Sequence, residues 1–227
     1  MIVVEWVEDF VCRLAKIKLN NVFNPYSDCC DIHDLPNAAE IRRDNLSHVL
    51  RQCAYRGVDS IWFGRDLGYR GGRRTGLALT DEVTMLNGIL DRSFDNIPKK
   101  ATNGSVVGER TATVIWSVIS RLEKWPVLWN AFPLHPHELG KPLSNRAHSV
   151  QERKATAWAI NELIDRFGGP RLIAIGNDAS KALTSLGFVH DVARHPSYGG
   201  QREFVATMEV LHNLNSEQPS DRQPKLI

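Results

Sequence analysis

At 227 residues and 42% hydrophobic content, the chain is long enough for one generous domain with a full core. A net charge of +2 excludes a bulk polycation, and no apolar run approaches ~18 residues, so any basic surface must be local and no membrane-spanning helix is expected. The four cysteines, Cys12, Cys29, Cys30 and Cys53, form no C-x-x-C pair, and the acidic start at Glu5, Glu8 and Asp9 lacks the basic region of a secretory signal, so a cytoplasmic protein with reduced thiols is expected.

Apolar positions Val3, Val4, Val7, Phe10, Val11 and Leu14 recur at helical spacing and predict an amphipathic helix within residues 1–20. Asn24 to Pro36 reads as an irregular connection. A second helix from Asn37 carries Leu46, Val49, Leu50 and Cys53 at i, i+3, i+4, i+7 until Gly57 ends it. Val58 to Phe63 is the first strand, apolar enough to be buried on both faces. It stops at Gly64 and opens into a loop rich in glycine and arginine. A short helix over 81–90 and a polar loop over 91–108 follow. The next helix, over 109–122, presents Val114, Ile115, Val118 and Leu122 on one face.

Pro126 to Trp129 is a second buried strand ending at Asn130, and residues 131–148 form a long connection with three prolines. Ser149 and Glu152 make a capping box for a helix that buries Ile160, Leu163, Ile164 and Phe167, and Gly168-Gly169-Pro170 stops it. Arg171 to Ile175 is a third strand, a helix follows from Ala179 to Leu186, and Phe188 to Ala193 is a fourth strand. A last helix carries Phe204, Val205, Met208 and Leu211. The expected architecture is a three-layer αβα sandwich around a central, mostly parallel four-stranded sheet. Residues 1–214 would form a single α/β domain and 215–227 a polar, disordered tail.

The strands of such a sheet end along one rim, where ligand sites gather. Three of the four carry a polar group there: Asp66, Asn130 and His195. Singly, each has a plain explanation as a cap, a turn former or a surface residue. Together they pair a carboxylate able to stabilise a cation with a histidine able to donate to a developing anion. The asparagine adds a donor and an acceptor side by side, the pattern that reads a pyrimidine edge. Charges of both signs arise together when an N-glycosidic bond breaks.

The constellation resembles the uracil-DNA glycosylase superfamily over about residues 58–211. That family carries a Gly-x-Asp-Pro-Tyr or Gly-x-x-Pro-Gly loop, and this chain has Gly64-Arg65-Asp66-Leu67-Gly68. The family's His-Pro-Ser-Pro loop corresponds to His195-Pro196-Ser197-Tyr198, and its base-reading Asn to Asn130. The resemblance implies that Asp66 positions water and stabilises the sugar cation, that His195 stabilises the anion on the base O2, and that Asn130 binds a flipped-out base. One family branch carries its catalytic Asp on a Thr-Gly-x-x-x-Thr-x-Asp segment. Thr75 to Glu82 matches that segment and makes Glu82 a second candidate acid.

Two departures bear on the base. Uracil-specific members place a Tyr beside C5, whereas this chain has Gly68, which implies a pocket open toward C5. The stacking position holds Leu79 rather than Phe, with Tyr69 or Trp129 as substitute rings. Flipping the Asn130 amide suits either uracil or cytosine. A family branch excises bulky modified cytosines from phage DNA, so a C5-substituted pyrimidine such as glucosylated hydroxymethylcytosine is the expected substrate, with uracil repair as the alternative. Arg65, Arg70, Arg73 and Arg74 are expected on DNA phosphates, with Ser197 beside them and Tyr198 near the position of a duplex wedge. His135 and His137 at i, i+2 do not make a metal site. The expectation is a monomeric, monofunctional hydrolase acting on DNA, without cofactor, metal or membrane. Two rivals are a catalytically weak modified-base sensor and a nucleotide-binding α/β enzyme; the loop lacks the Gly-x-x-x-x-Gly-Lys-Ser/Thr pattern that the latter needs.

Overall fold

The computed structural model describes residues 5–86 and 98–214. Helix α1 (Trp6–Ala15) buries Val7, Phe10, Val11 and Leu14, one stripe at helical spacing. Val3 and Val4, read as its start, lie outside the described residues. Strand β1 (Val22–Phe23) precedes α2 (Ala38–Arg56), which buries Leu46, Leu50 and Cys53 and ends at Gly57 with φ +73°. Strand β2 (Ser60–Asp66) continues two residues beyond Gly64, so Asp66 is the last residue of the strand rather than part of the following loop.

The loop itself contains one helical turn, α3 (Gly72–Thr75), and leads to α4 (Glu82–Leu86). The remainder of the helix expected over 81–90, and the first part of the loop over 91–108, lie outside the described residues. Helix α5 (Arg110–Ile119) is followed by β3 (Val127–Phe132), which runs three residues past the expected end at Trp129 and carries Asn130 within it. Strand β4 (His135–Pro136) pairs antiparallel with β1 and ties the long connection to the N-terminal part.

Helix α6 (Val150–Arg166) starts at the expected capping box, with Ser149 accepting from Glu152 N and the Glu152 side chain accepting from Ser149 N. Strand β5 (Arg171–Ile175), α7 (Asn177–Ser185), β6 (Asp191–Ala193) and α8 (Gln201–Leu211) complete the described part. The fourth strand is shorter than the expected Phe188–Ala193. The tail from Asn215 lies outside the described residues.

The main sheet has the order β3-β2-β5-β6, and every pairing in it is parallel. Helices cover both faces. Trp62 meets Phe204 of α8 on one face, and Trp129 meets Phe10 of α1 on the other, where Phe10 also touches Trp158 of α6. The expected αβα sandwich with a central parallel sheet is the observed fold. The chain leaves β2 for β3 on one side and then returns to β5 on the other. The sheet's order therefore reverses at β2, and a crevice opens beside its C-terminal end.

Candidate active site

That crevice is a cavity of about 580 Å³ lined by Gly64 to Gly68, Asn130, Ile175 to Asp178, His195, Ser197 and Tyr198 from the strand ends. Leu79, Glu109 and Asn145 close it from the connections. Strand register brings Gly64 opposite Asn130. A Cβ on Gly64 would lie 2.3 Å from the Asn130 amide and 2.9 Å from Leu79 Cδ2, so only glycine lets both side chains reach this spot. Leu79 is held at φ +54°, a left-handed conformation that costs a branched side chain roughly 1–2 kcal/mol and is maintained by its surroundings.

Asn130 is buried. Oriented to satisfy both neighbours, its amide donates to Trp129 O at 3.1 Å and accepts from Leu67 N at 3.3 Å. One hydrogen and one lone pair are left for a ligand.

Asp66 is held from two sides. Arg65 Nε lies 2.8 Å and 3.1 Å from its two carboxylate oxygens, and Arg65 Nη1 reaches Asp178 at 3.0 Å. Burial opposes the charge on Arg65, but these two carboxylates together hold its pKa above the ordinary value. On the other side, His148 Nδ1 lies 3.3 Å from Asp66 Oδ1, with the ring tilted against Phe132 at 5.4 Å. Arg153 Nη1 faces His148 Nε2 at 3.4 Å. Arginine can only donate, so the hydrogen of the neutral ring belongs on Nδ1, aimed at Asp66.

The same reasoning fixes His195. The backbone N–H of Ser197 donates to its Nδ1 at 3.2 Å, and the Ser197 hydroxyl lies 2.8 Å from the same atom. Nδ1 is therefore an acceptor, and the neutral ring carries its hydrogen on Nε2. Burial, and then the Arg65 charge, push the His195 pKa below the usual histidine value. The ring thus reaches neutral pH uncharged, as a hydrogen-bond donor beside a carboxylate.

The cavity brings together Asp66, His195, Asn130, Gly68, Leu79, Arg65, Ser197 and Tyr198 of the residues singled out in the sequence. Tyr198 is 98% exposed at φ +51°, a ring held out from the rim with Gly199 beside it at φ +78°. Arg70 is exposed on the same loop. Tyr69 does not line the cavity; its backbone N–H donates to Asn145 Oδ1 at 3.0 Å. Trp129, named as a substitute stacking ring, is in the core against Phe10.

Three expectations are corrected. Glu82 is 0% exposed and does not line the cavity; its carboxylate pairs with Arg74 at 3.2 Å and accepts from Val107 N at 2.9 Å and from the Thr102 hydroxyl. Arg74 is buried in that network and also donates to Thr102 Oγ1 at 2.9 Å. Arg73 is 2% exposed and stacks over the Phe23 ring at 3.9 Å. Two of the four loop arginines are thus internal struts, while Arg65 is half-buried and Arg70 exposed. The opening expected beside Gly68 is also occupied. The Glu109 carboxyl lies there, 3.4 Å from where a Gly68 Cβ would stand.

Sequence reading missed Glu109 and His148. Each stands at the threshold of a helix, Glu109 as the N-cap of α5 and His148 one residue before the N-cap of α6. Acids and polar residues are ordinary there, so neither carried a signal of its own. His135 is buried and bonded to Ser144 O at 2.9 Å, and among the described residues no group of His, Cys, Asp and Glu is arranged to hold a metal ion. Among the described residues no helix is long and apolar enough to cross a membrane.

No protein-family model matches the sequence, and no curated protein matches it. Among solved structures, the crystal structure of wild-type Pedobacter heparinus SMUG2 is similar, with a TM-score of 0.60 over 93% of this chain and 99% of that one, at 14% identity. The chain shares the α/β fold of that structure.

Proposed function

We propose that the protein is a DNA glycosylase that flips a pyrimidine into this cavity and hydrolyses its N-glycosidic bond, with uracil as the base. The observation that carries the reading is the convergence of Asp66, Asn130 and His195 on one cavity at the carboxyl rim of a sheet with this fold. Asn130 offers its remaining donor and acceptor to the edge of the base, and Leu79 presents an aliphatic surface to its face. As the bond from C1′ to N1 breaks, positive charge develops on the sugar and negative charge on the base. Asp66 stabilises the first and takes a proton from the water that adds to C1′. His195 Nε2–H donates to the O2 that receives the electron pair. A donor of this kind is worth roughly 10²–10³ in rate.

No side chain need form a bond to the sugar in this scheme, so the products are a free base and an abasic site. Arg65 and Arg70 supply cations at the rim for phosphates, and Tyr198 stands where a ring can fill the gap left by the extruded nucleotide. With Glu109 beside Gly68, the missing side chain at position 68 does not by itself make room for a bulky C5 group. The similarity to SMUG2 also favours uracil over modified cytosine.

The test is a set of oligonucleotides containing uracil, mismatched thymine, hydroxymethylcytosine or glucosylated hydroxymethylcytosine, treated with protein and then alkali. Strand breaks at uracil support the reading. Breaks confined to a modified cytosine would replace uracil as the substrate and restore the C5-substituted pyrimidine expected from the sequence. Binding without breaks would leave a modified-base sensor.

A further inference from the structure

Glu109 is a carboxyl group of the cavity lining that the proposed reaction does not use. It occupies the N-cap position of α5 in an extended conformation, yet its side chain makes no cap hydrogen bond to its own helix. It turns instead over the glycine loop. A Cβ on Gly71 would lie 2.3 Å from Oε2, and one on Gly68 would lie 3.4 Å from Oε1. Gly71 therefore makes room for the Glu109 carboxyl, while the contact at Gly68 is an ordinary one.

The residue is fixed there from behind. Asp81, fully buried, accepts from Glu109 N and at 2.6 Å from Thr84 N, tying the starts of α5 and α4 together. The Glu109 carboxyl itself has no hydrogen-bond partner among the described residues, and it faces the same cavity as Asn130 and Leu79. A carboxyl group that faces the cavity with no protein partner is free to bond a ligand there.

We propose that Glu109 is a specificity-determining residue whose carboxyl group hydrogen-bonds the exocyclic group on C4 of the flipped base, donating to a keto oxygen as the neutral acid and accepting from an amino group as the carboxylate. The inference rests on the glycosylase reading and deepens it. Asn130, held in one orientation by Trp129 O and Leu67 N, leaves one hydrogen and one lone pair for the base, so a second reader at C4 sharpens the choice between uracil and cytosine. A carboxyl group at a second point of the same edge does separate them, and its protonation decides which base is matched. Burial, and then the Asp81 charge, hold the Glu109 pKa above the ordinary glutamate value, and Arg70 opposes the shift. The other charges around the cavity, Arg65, Asp66, Asp178 and His195, act on all variants alike.

The experiment is single-turnover excision of uracil from DNA by the wild type and Glu109→Gln across a pH series, with thermal unfolding as a check on folding. Glutamine always offers a donor, whereas an ionised glutamate presents only acceptors to the uracil O4. The ratio of the Glu109→Gln rate to the wild-type rate is expected near one at the acid end, rising about tenfold or more at the alkaline end. Glu109→Ala, which lacks donor and acceptor, is expected to be slower than wild type at the acid end. Parallel pH profiles for wild type and Glu109→Gln would overturn the proposal, as would a Glu109→Ala rate equal to wild type at the acid end.

If the wild type excises no base, the glycosylase reading fails separately. The same ratio is then measured as affinity for DNA carrying 2′-fluoro-2′-deoxyuridine. A pH-dependent ratio supports the contact, and a flat ratio or no binding overturns it.

Discussion

Replacing Gly64 by alanine adds one methyl group at the point where β2, Asn130 and Leu79 meet. The new Cβ would stand 2.3 Å from the Asn130 amide and 2.9 Å from Leu79 Cδ2, closer than real contacts allow. Asn130 is buried and its amide is bonded to Trp129 O and Leu67 N, so moving it breaks two hydrogen bonds worth about 1 kcal/mol each. Crowding of a packed site adds about 1–3 kcal/mol. The sum, about 3–5 kcal/mol, lowers the Tm by roughly 6–20 °C for a chain of this size. Misplacing the base-reading amide by about 1 Å costs a further ~10²-fold in excision rate among molecules that remain folded.

Gly68→Ala is the control. Its Cβ meets the Glu109 carboxyl at 3.4 Å, an ordinary contact, and it is expected to change Tm little. Thermal unfolding of both variants, with single-turnover excision at a temperature where both are folded, tests the argument. A Gly64→Ala protein with wild-type Tm and rate would refute it.

His148→Leu removes the donor behind Asp66 and should slow excision about 10–100-fold without weakening DNA binding, while His148→Asn, which keeps an N–H near the Nδ1 position, should recover most of the rate. Added to Asp66→Asn, His148→Leu should cost nothing more; full additivity in that double-mutant cycle would contradict the coupling. Tyr198→Ala should leave Tm unchanged, because the ring is 98% exposed, and should lower excision from duplex about tenfold more than from single strands. Stability should fall in acid through His135, whose pKa burial, and then the Arg73 charge, push down from 6.5 to about 4. The unfolded chain takes up that proton first, so the contribution is complete above pH 6.5. It is lost as pH falls toward 4, by about 3 kcal/mol in all. Urea unfolding over that range should show the loss, and His135→Gln should flatten it.

The parallel sheet was legible because its strands are short continuous apolar runs between helices of clear period. Arg171–Ile175 was read to the residue. The pairing of β1 with β4 was not legible, since two-residue strands leave no pattern. The rim trio was found because strand ends are predictable from strand positions. Arg73 and Arg74 were misread for a physical reason. Arginine in a glycine loop ordinarily faces solvent, and what buries these two includes Phe23 and Thr102 from distant segments as well as Glu82. Glu109 reaches the cavity, and His148 reaches Asp66, through the packing of connections, so local pattern could not place them.

The central claim is that the cavity hydrolyses an N-glycosidic bond with Asp66 beside the sugar. Its most direct measurement is the release of free base from uracil-containing DNA under single-turnover conditions, by wild type and Asp66→Asn. The account predicts free uracil with one abasic site per base released by the wild type, and retained binding with slow residual release by Asp66→Asn. Equal release by the two proteins, or no release from any pyrimidine by the wild type, would contradict it.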